Sequence, residues 1–444
     1  MRKSAVLDLL NDELIPQAQS ERRVLDDVDR WLRAENQVEQ HRNQKSEREK
    51  RALADLSRTP LLRLIVEEAA QQMILEGVTS RRSKDTEPLW RPWENNGLPS
   101  REQFLYEAAL GYGLAYGTAL PGDTGAVLRF RSPRDLYCVY AEPAEDEWPM
   151  YGLLTIPQRK ATLYRLIDEE VVHYLARSET GDLEYIEERP HGVGVTPIVR
   201  YANHLDLEGR SPGEVDKFKG VASRFEKTTN DRMLIQHHNS WRVKTATGLE
   251  EPGSPEEAER VKMLLRHEDI LTGDENVTFG SLPETTLDST LKAAEQDRDT
   301  LSAVAQTPVW VFNGGQLVNL AADALSEARS VSRQKINGKR RALGRSHAQL
   351  LRIAAHIEGR AQDAADFTLR MQWADVESRS MAQAADALGK IAVQLRVPVE
   401  QLWDMIPGIS KTTADDWRRW ARENPDPERM IAQGIAGNTL PNLG

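Results

Sequence analysis

One stretch, residues 307–319, constrains the fold more than any other, because it sets apolar and aromatic residues beside Asn-Gly-Gly and separates two long helical patterns. Pro308 marks the end of the first pattern, and Asn319 is a suitable N-cap for the second. The sequence therefore predicts a loop between two helices. Its central residues are Val309, Trp310, Val311, Phe312, Asn313, Gly314, Gly315 and Gln316.

The apolar side chains of this loop need a partner, because monomeric soluble proteins rarely expose contiguous apolar patches. Trp310 and Phe312, with the valines beside them, are expected either to pack into the core of their own chain or to meet the same loop of other copies around an axis. Gly314 and Gly315 accept backbone angles that other residues resist, so they predict a hinge.

The helical patterns on the two sides of the loop differ in length. Residues 286–306 carry apolar residues at roughly helical spacing. From residue 320 the same rhythm continues to Glu358, far beyond the ~10–14 residues of an average globular helix. Gly338 and Gly344 interrupt the second pattern and are expected to bend that helix.

The rest of the chain divides into helical and strand-rich parts. Residues 4–77 are charged and helical in pattern, and residues 80–100 read as a connection that contains Pro, Gly and Asn. Residues 125–201 hold short apolar runs separated by turn residues, which predicts an antiparallel sheet. A helix is predicted over residues 212–241, and a compact insertion with short strands is predicted over residues 248–283.

The composition limits the functions that the chain can have. Its net charge of −11 over 444 residues argues against a sequence-reading DNA-binding protein, which needs a basic surface for phosphates. An acidic balance is compatible with a channel that repels phosphates, and equally with a surface that keeps an abundant protein soluble. The one cysteine, Cys138, excludes an intrachain disulfide and is expected to be a small buried hydrophobe in a strand.

No segment predicts membrane insertion or export. The longest apolar stretch, residues 104–120, contains Glu107 and is shorter than the ~20 residues of a membrane span. The apolar run that follows Arg2-Lys3 is short and soon broken by polar residues, unlike that of a signal peptide. We therefore expect a soluble protein, and the use of a single cysteine suits a reducing cytosol.

The motifs that would indicate a nucleotide-binding protein or a zinc protease are incomplete in this sequence. Gly338-Lys339 is followed by Arg340, where a nucleotide-binding loop needs Ser or Thr. His267-Glu268 lacks the second histidine of a zinc protease motif. The sequence therefore predicts no catalytic residue, no metal site and no cofactor.

Four further motifs occur in a set order along the chain. Trp90-Arg-Pro-Trp-Glu-Asn-Asn-Gly-Leu98 precedes a helix rich in small residues, and His191-Gly-Val-Gly-Val-Thr-Pro-Ile-Val-Arg-Tyr-Ala-Asn203 is followed by Gly209-Arg-Ser211. Met371-Gln-Trp-Ala-Asp375 stands before an Ala-rich helix, and Leu402-Trp-Asp-Met-Ile-Pro-Gly408 follows it. Together with the loop between two helices, these motifs resemble those of the portal proteins of tailed bacteriophages, in particular the siphophage-type group.

The resemblance implies an α+β, ring-forming portal fold with an α/β wing, a helical stem, a small α/β clip, a long kinked helix and a helical crown. The tail after Asn424 is rich in Pro, Gly and Asn and is expected to be poorly ordered. The implied segments are the wing over 1–209, the first stem helix over 210–240, the clip over 241–285, the second stem helix over 286–306, the tunnel loop over 307–319, the long kinked helix and a wing strand over 320–378, and the crown and tail over 379–444.

The same resemblance implies an architectural function without chemistry. A ring of about twelve copies would form a channel at one capsid vertex, through which double-stranded DNA is packaged and later ejected. The implied partners are other copies of the chain, the terminase large subunit, the major capsid and scaffolding proteins, and a head-tail adaptor. The implied location is the virion, after assembly in the host cytoplasm. The main alternative is a non-conducting head-tail adaptor or minor capsid protein, against which the loop between two helices argues.

The long helix carries the one dense basic run of the sequence. Within a portal ring, some of its members, with Arg329, Arg333, Lys339 and Arg340 as the leading candidates, can touch the DNA backbone in the channel. The alternative that we favour is a solvated face with salt bridges between copies. The whole run comprises Arg329, Arg333, Lys335, Lys339, Arg340, Arg341 and Arg345.

Overall fold

A computed structural model describes the protein over most of its length, and helices and strands are both abundant in it, as the predicted mixed class requires. The finer division into wing, stem, clip and crown remains a prediction. The described residues are 2–38, 48–83, 85–178, 181–240, 244–247, 254–256, 259, 278–281, 285–313, 322–374, 381–406, 408–409 and 411–424.

The N-terminal part is largely helical, as predicted, but the helical structure ends at Gln71 and residues 75–77 belong to the strand β1 (Leu75–Thr79). Its helices are α1 (Lys3–Leu9), a π-helical turn (Leu10–Leu14), α2 (Ile15–Leu32), α3 (Arg48–Ser57) and α4 (Leu61–Gln71). Pro60 stands at the N-cap of α4, where its missing NH group costs no hydrogen bond. One face of α4 is buried because its apolar residues recur at helical spacing.

The segment 80–100, which the sequence presents as a connection, is largely helical instead. It contains α5 (Glu87–Asn95) and a 3₁₀ turn (Leu98–Ser100), and it leads into α6 (Glu102–Tyr112). Pro88 stands in the first turn of α5, where proline is tolerated, and Pro92 lies inside the helix. The prolines that suggest a loop are therefore accommodated within a short helix that is held by packing of Trp93.

The strands between residues 114 and 202 form two antiparallel sheets rather than one. The first sheet has the order β3-β2-β9 and consists of β2 (Leu114–Gly122), β3 (Gly125–Arg131) and β9 (Ile198–Ala202). The second is a meander of β4 (Leu136–Val139), β5 (Tyr151–Pro157), β6 (Ala161–Ile167), β7 (Val171–Ser178) and β8 (Leu183–Pro190). Two further antiparallel pairs lie among the described residues: β1 (Leu75–Thr79) with β12 (Arg370–Trp373), and β10 (Lys244–Thr247) with β11 (Thr278–Ser281).

Long helices make up the second half. They are α7 (Glu214–Ser240), α8 (Asp288–Ala305), the single-turn α9 (Val309–Phe312), α10 (Ala322–Ile357), α11 (Ala361–Ala364), α12 (Met381–Gln394) and α13 (Lys411–Glu423), with 3₁₀ turns at Val399–Gln401 and Trp403–Met405. Helix α10 runs without interruption through Gly338 and Gly344 over 36 residues. The expected bend at these glycines stays a prediction.

Of the four hydrophobic clusters among the described residues, two join the long helices to the rest of the fold. The larger core joins α4, α5 and α6 to the first sheet and to α10, and its largest buried side chains include Trp93, Tyr106 and Tyr201. The second joins α2, α4, α7 and α8, and it also takes in Phe312 of α9. Most of the predicted insertion at 248–283 and the tail after residue 424 lie outside the described residues. No helix that the structure describes has the length and apolar character of a membrane span.

Candidate functional site

The motif that ends in Asn203 and continues with Gly209-Arg-Ser211 lies where strand β9 leads into helix α7. The side-chain amide of Asn203 donates to the carbonyl oxygen of Pro212 at 3.0 Å and to Glu214 Oε1 at 3.1 Å. The carbonyl oxygen of Gly113 accepts hydrogen bonds from the hydroxyl of Ser211 at 2.5 Å and from the backbone NH of Asn203 at 2.8 Å. The motif thus ties together the end of α6, the end of β9 and the start of α7.

Two glycines permit this close approach. Gly113 has a φ of +96°, and a Cβ atom there would lie 1.9 Å from the carbonyl oxygen of Ser211. A Cβ atom on Gly213 would lie 2.1 Å from the carbonyl oxygen of Gly111. Because both neighbours are backbone atoms, a side chain at either position would push the two helices apart.

Sequence reasoning overlooked the segment Gly209-Arg-Ser-Pro-Gly213, which has the Gly-x-Ser-x-Gly spacing of a hydrolase nucleophile elbow. The structure gives Ser211 a different environment. Its hydroxyl donates to Gly113 and accepts the backbone NH of His204 at 3.3 Å. Within the described part of the chain, no hydrogen bond joins it to an imidazole ring or a carboxylate, the partners that would activate a nucleophile. Ser211 therefore holds the backbone of this junction.

A buried cluster of charges joins three helices at the same place. Glu214 is the first residue of α7, and its carboxylate accepts hydrogen bonds from two lysines of α10, Lys335 at 3.0 Å and Lys339 at 2.8 Å. Lys335 also donates to the carbonyl oxygen of Ala305, the last residue of α8, at 2.7 Å. Lys339 donates to the side-chain oxygen of Asn203 as well. We call these five residues the buried junction.

The charges of the buried junction stabilise one another. Burial by itself would raise the pKa of Glu214, but Lys339 and Lys335 hold this pKa at about 2. The pKa of Lys339 is lowered, because desolvation outweighs the attraction of Glu214. A carboxylate at a helix N-terminus and an ammonium group at a helix C-terminus are both favourable placements, as in α7 and α8. Removing one partner of such a buried pair costs about 3–5 kcal/mol, so the three helices are firmly linked.

Five of the eight predicted loop residues are described, and the first four form the helical turn α9 rather than an open loop. Phe312 is buried against residues of α4 and α8, so it follows the first of the two alternatives, packing within its own chain. Trp310 is half-buried and lies under the guanidinium group of Arg329, 5.7 Å from the ring centre. Val309 remains 39% exposed. The remaining three, Gly314, Gly315 and Gln316, fall outside the described residues.

The end of α8 beside this segment is held by local hydrogen bonds. Gln306 adopts a left-handed conformation with a φ of +52° and closes the helix. The hydroxyl of Ser302 donates to the carbonyl oxygen of Thr307 at 2.7 Å, and the NH of Thr307 donates back to the carbonyl of Ser302 at 3.1 Å. The chain therefore leaves α8 in a defined direction, which fixes where α9 begins.

The four basic residues singled out from the sequence do not share one exposed face. Lys339 is buried in the junction. The guanidinium group of Arg340 donates to the carbonyl oxygens of Gln72 and Ala374 and lies over Trp373, which joins α10 to the β1–β12 pair. Arg329 contacts Trp310, and Arg333 also makes an interaction within the chain. Whether any of the four touches DNA or another copy stays a prediction.

The tryptophan motif packs against the long helix around His347. The His347 ring is enclosed by aromatic rings, with Trp93 at 4.9 Å and Tyr201 at 4.8 Å between ring centres. The hydroxyl groups of Tyr106 and Tyr201 lie 3.0 and 3.1 Å from its two nitrogens. Burial lowers the pKa of His347 to about 3, so the ring is neutral at physiological pH. The motif therefore anchors α10 in the main core.

Asn96, near the end of the same motif, fixes a strand to α5. Its side-chain oxygen accepts the backbone NH of Leu128 at 3.0 Å, and its side-chain nitrogen donates to the carbonyl oxygen of Ala126 at 2.9 Å. The same nitrogen donates to the carbonyl of Pro92 at 2.8 Å. An asparagine satisfies strand and helix together here because it offers a donor and an acceptor on one short side chain.

The described residues offer little for chemistry. No group of three or more His, Cys, Asp and Glu side chains among them could hold a metal ion. Cys138 lies in strand β4, as predicted, but it is half-buried rather than fully buried. Desolvation raises the pKa of its thiol, which makes it a poor nucleophile. The arrangement of the described residues joins the helices rigidly.

Sequence reasoning missed the central carboxylate of the junction. Glu214 follows Pro212-Gly213 in the first turn of a helix, a position that acidic residues favour for the dipole alone. Its lysine partners lie more than 120 residues away, as the separations of 121 and 125 show. The one sequence signal for this cluster is the spacing of Lys335 and Lys339, which are four residues apart and so share one face of α10.

Comparison with known proteins adds a family to this geometry. The family model described as "Phage portal protein, SPP1 Gp6-like" matches residues 11–426. No curated protein matches the chain. Among solved structures, a chain from the neck of a native gene transfer agent particle, computed with C12 symmetry, has a TM-score of 0.47 and 12% identity, with 81% of this chain and 91% of that chain covered.

Two further structures are similar to the same degree. A chain from the virion of the native gene transfer agent particle has a TM-score of 0.47 and 12% identity, over 87% of this chain and 98% of that chain. A chain from the neck of the empty particle, computed with C6 symmetry, has a TM-score of 0.46 and 12% identity, over 81% and 94%. The family match spans nearly the whole sequence, and the chain belongs to the SPP1 Gp6-like phage portal protein family.

Proposed function

We propose that copies of this chain assemble into a ring whose channel stands at one capsid vertex of the virion and conducts double-stranded DNA during packaging and ejection. The observation that carries this proposal is the match of the portal family over residues 11–426. Such a channel acts by shape, charge and stiffness, and it needs no catalytic group of its own. The following features of the chain support that role.

Helix α8 offers an acidic face suited to a channel wall. Asp288, Glu295 and Asp299 are exposed and lie on one side of the helix together with the exposed Lys292, so this face carries three negative charges and one positive charge. Carboxylates repel phosphate groups, so DNA would slide past such a wall without adhering to it. In a ring of twelve copies the net charge of −11 per chain would total roughly −130.

The buried junction gives the loop at 307–319 a stiff support. Lys335 holds the end of α8 through the carbonyl of Ala305, and Ser302 holds Thr307. A force on the loop would pass from α8 into α7 and α10 through the carboxylate of Glu214. We propose that this loop meets the DNA, and that Val309, exposed on α9, stands at its border.

The partners follow from the same proposal. Helices α7 and α8 would form the stem, and residues 241–285 would form the clip that binds the terminase large subunit and then the head-tail adaptor. The wing and crown would meet the major capsid and scaffolding proteins. Deletion of residues 252–265 tests the clip: rings should persist while motor and adaptor binding is lost. Loss of the rings themselves would place that segment in the structural core.

A site-directed label tests conduction by the channel. Val309→Cys, coupled to a bulky maleimide, should leave rings intact and stop the packaging of nuclease-protected DNA into procapsids. Glu184→Cys, on the exposed edge strand β8, is the matched control and should package normally when it carries the same label. Both variants carry Cys138→Ser, because Cys138 is a half-buried free cysteine that could otherwise take up the label. Equal packaging by both labelled rings would favour a non-conducting adaptor.

A further inference from the structure

A basic groove of about 640 Å³ lies beside α10, between this helix and strand β12. It offers far more positive than negative charge, although the whole chain is acidic. Its two carboxylates are engaged: Glu147 pairs with Arg352 at 3.1 Å, and Asp366 accepts hydrogen bonds from Ser80 and Thr368. The arginines that line it are Arg340, Arg341, Arg345, Arg352 and Arg370.

Three of these arginines lack a partner within the described part of the chain. The side chains of Arg341, Arg345 and Arg370 are exposed and make no hydrogen bond or ion pair with any other described residue. Phe367, in the same groove, is 76% exposed, and the guanidinium group of Arg352 lies over its ring. Neighbouring cations repel one another, so this groove suits an anionic partner that also covers an apolar ring.

A second groove on the same chain has the complementary character. It measures about 570 Å³, and its lining contains Asp146, Asp168, Glu169 and Glu170 without a single lysine or arginine. Glu169 and Glu170 are exposed at the turn between β6 and β7. Asp168 fixes this turn by accepting the backbone NH groups of Glu170 at 3.0 Å and Val171 at 2.8 Å.

The acidic groove also carries an exposed apolar side chain. Met150, which lines it, is 46% exposed. The loop between β4 and β5 contributes to both grooves, because Glu147 lines the basic one, whereas Asp146 and Trp148 line the acidic one. Each groove therefore combines uncompensated charge of one sign with one exposed apolar group.

We propose that the acidic groove of one copy docks on the basic groove of the next copy, with Glu169 and Glu170 against Arg341 and Arg345 and with Met150 against Phe367. When each copy offers its acidic groove to one neighbour and its basic groove to the other, the contact is head-to-tail, and it closes into a ring when the rotation allows. The inference rests on the proposed portal function, which requires a closed ring, and it names the surface that closes it.

A nucleic acid accounts for the same surfaces less well. Phosphates would suit the three arginines, but they would leave the acidic groove and the exposed Met150 unexplained. A second copy explains both grooves at once, so DNA binding is kept as an outcome of the test.

Charge reversal tests the contact through the size of the assembly. Arg341→Glu with Arg345→Glu should convert rings to monomers, and so should Glu169→Arg with Glu170→Arg. The chain that carries all four changes should recover rings, because the charges are exchanged across the contact. The matched control is Arg159→Glu with Lys160→Glu, at the exposed turn between β5 and β6. It changes the net charge by the same amount as the arginine pair and should keep the rings. Native mass spectrometry measures the number of subunits in the assembly that each variant forms.

The outcomes separate the contact from the portal function. Rings in the wild type and in both reversed pairs would overturn the contact alone, whereas a wild type without rings would overturn the portal proposal and the contact with it. Reversed arginines that leave rings intact but abolish retention of a short DNA duplex would assign the groove to nucleic acid and overturn the contact.

Crosslinking provides a readout that does not depend on disrupting the assembly. Glu169→Cys combined with Arg345→Cys should give covalent products in wild-type-sized rings, extending from dimers up to the full ring. Either cysteine alone should give no such series, because a head-to-tail contact pairs two different residues. Rings without crosslinks, or crosslinks that stop at dimers, would overturn the contact.

Discussion

The ammonium group of Lys335 lies 2.7 Å from the carbonyl oxygen of Ala305 and also binds the carboxylate of Glu214 at 3.0 Å. One side chain of α10 therefore holds the end of α8 and the start of α7. Because α8 leads directly into the segment 307–319, this contact sets where that segment leaves the helical body. A protein that transmits force through this segment needs such a fixed point.

Removing the central carboxylate should destabilise the fold strongly. Glu214→Gln leaves Lys335 and Lys339 with no counter-charge in a buried site, and we expect a loss of about 3–5 kcal/mol in the free energy of unfolding by urea. Lys217→Met is the matched control, because this lysine lies 3.7 Å from Glu214 and is one third exposed, so its loss should cost under about 1 kcal/mol. Equal losses would contradict the importance of the buried pairs.

A second buried carboxylate predicts a pH dependence of stability. Burial raises the pKa of Glu102 from 4.5 to about 7, although hydrogen bonds from Leu75 and Tyr106 act to lower this pKa. The folded state then holds the proton more tightly than the unfolded state. The stability that this proton contributes is complete below about pH 4.5, falls as the pH rises, and is lost above about pH 7.

Glu102→Gln imitates the protonated form at every pH. We therefore expect this variant to match the wild type at low pH and to exceed its unfolding free energy by about 3 kcal/mol above pH 7. Urea titrations at a series of pH values measure the difference. Parallel curves for the two proteins would show that Glu102 does not titrate in this range.

Two glycines of one region should respond to alanine in opposite ways. Gly213→Ala places a methyl group 2.1 Å from the carbonyl oxygen of Gly111, so we expect a cost of about 1–3 kcal/mol. Gly220→Ala, within α7, meets no atom within 4 Å and should stabilise the helix by about 0.5–1 kcal/mol. Thermal unfolding of both variants tests this. A stable Gly213→Ala protein would mean that α6 and α7 separate easily.

Local patterns predicted many elements well. The helix expected over 286–306 is observed as Asp288–Ala305, and one of the short apolar runs predicted within residues 125–201 forms the strand Ala161–Ile167. Both carry their own periodicity, so no distant contact is needed to identify them. The prediction of a connection over residues 80–100 was wrong because the prolines of this segment fit into α5, where packing of Trp93 outweighs their low helix propensity.

The buried junction was beyond the reach of such patterns. A glutamate and two lysines are common surface residues, and only the crossing of α7, α8 and α10 removes them from water. Phe312 illustrates the same limit: the sequence allowed a core position or a position on an axis, and the choice depended on where α4 and α8 lie. Tertiary contacts, rather than local propensity, decided both cases.

The glycines of the segment 307–319 lead to a prediction about packaging. Alanine at Gly314 and Gly315 restricts the backbone angles of the loop without changing the helices beside it. We expect the double variant to assemble normally, to bind the adaptor normally, and to package DNA slowly or incompletely. The length of packaged DNA measures this. Normal length would contradict a moving loop, and failure to form rings would place these residues in the structural core.

The central claim is that this chain forms a closed ring around a channel. Imaging of the purified protein in negatively stained top views, with the number of subunits counted in each particle, tests it most directly. We expect closed rings of about twelve subunits with a stain-filled central hole, because a head-to-tail contact closes into a ring when its rotation allows. Particles that remain monomers or dimers across a wide concentration range, or rings without a central opening, would contradict the claim.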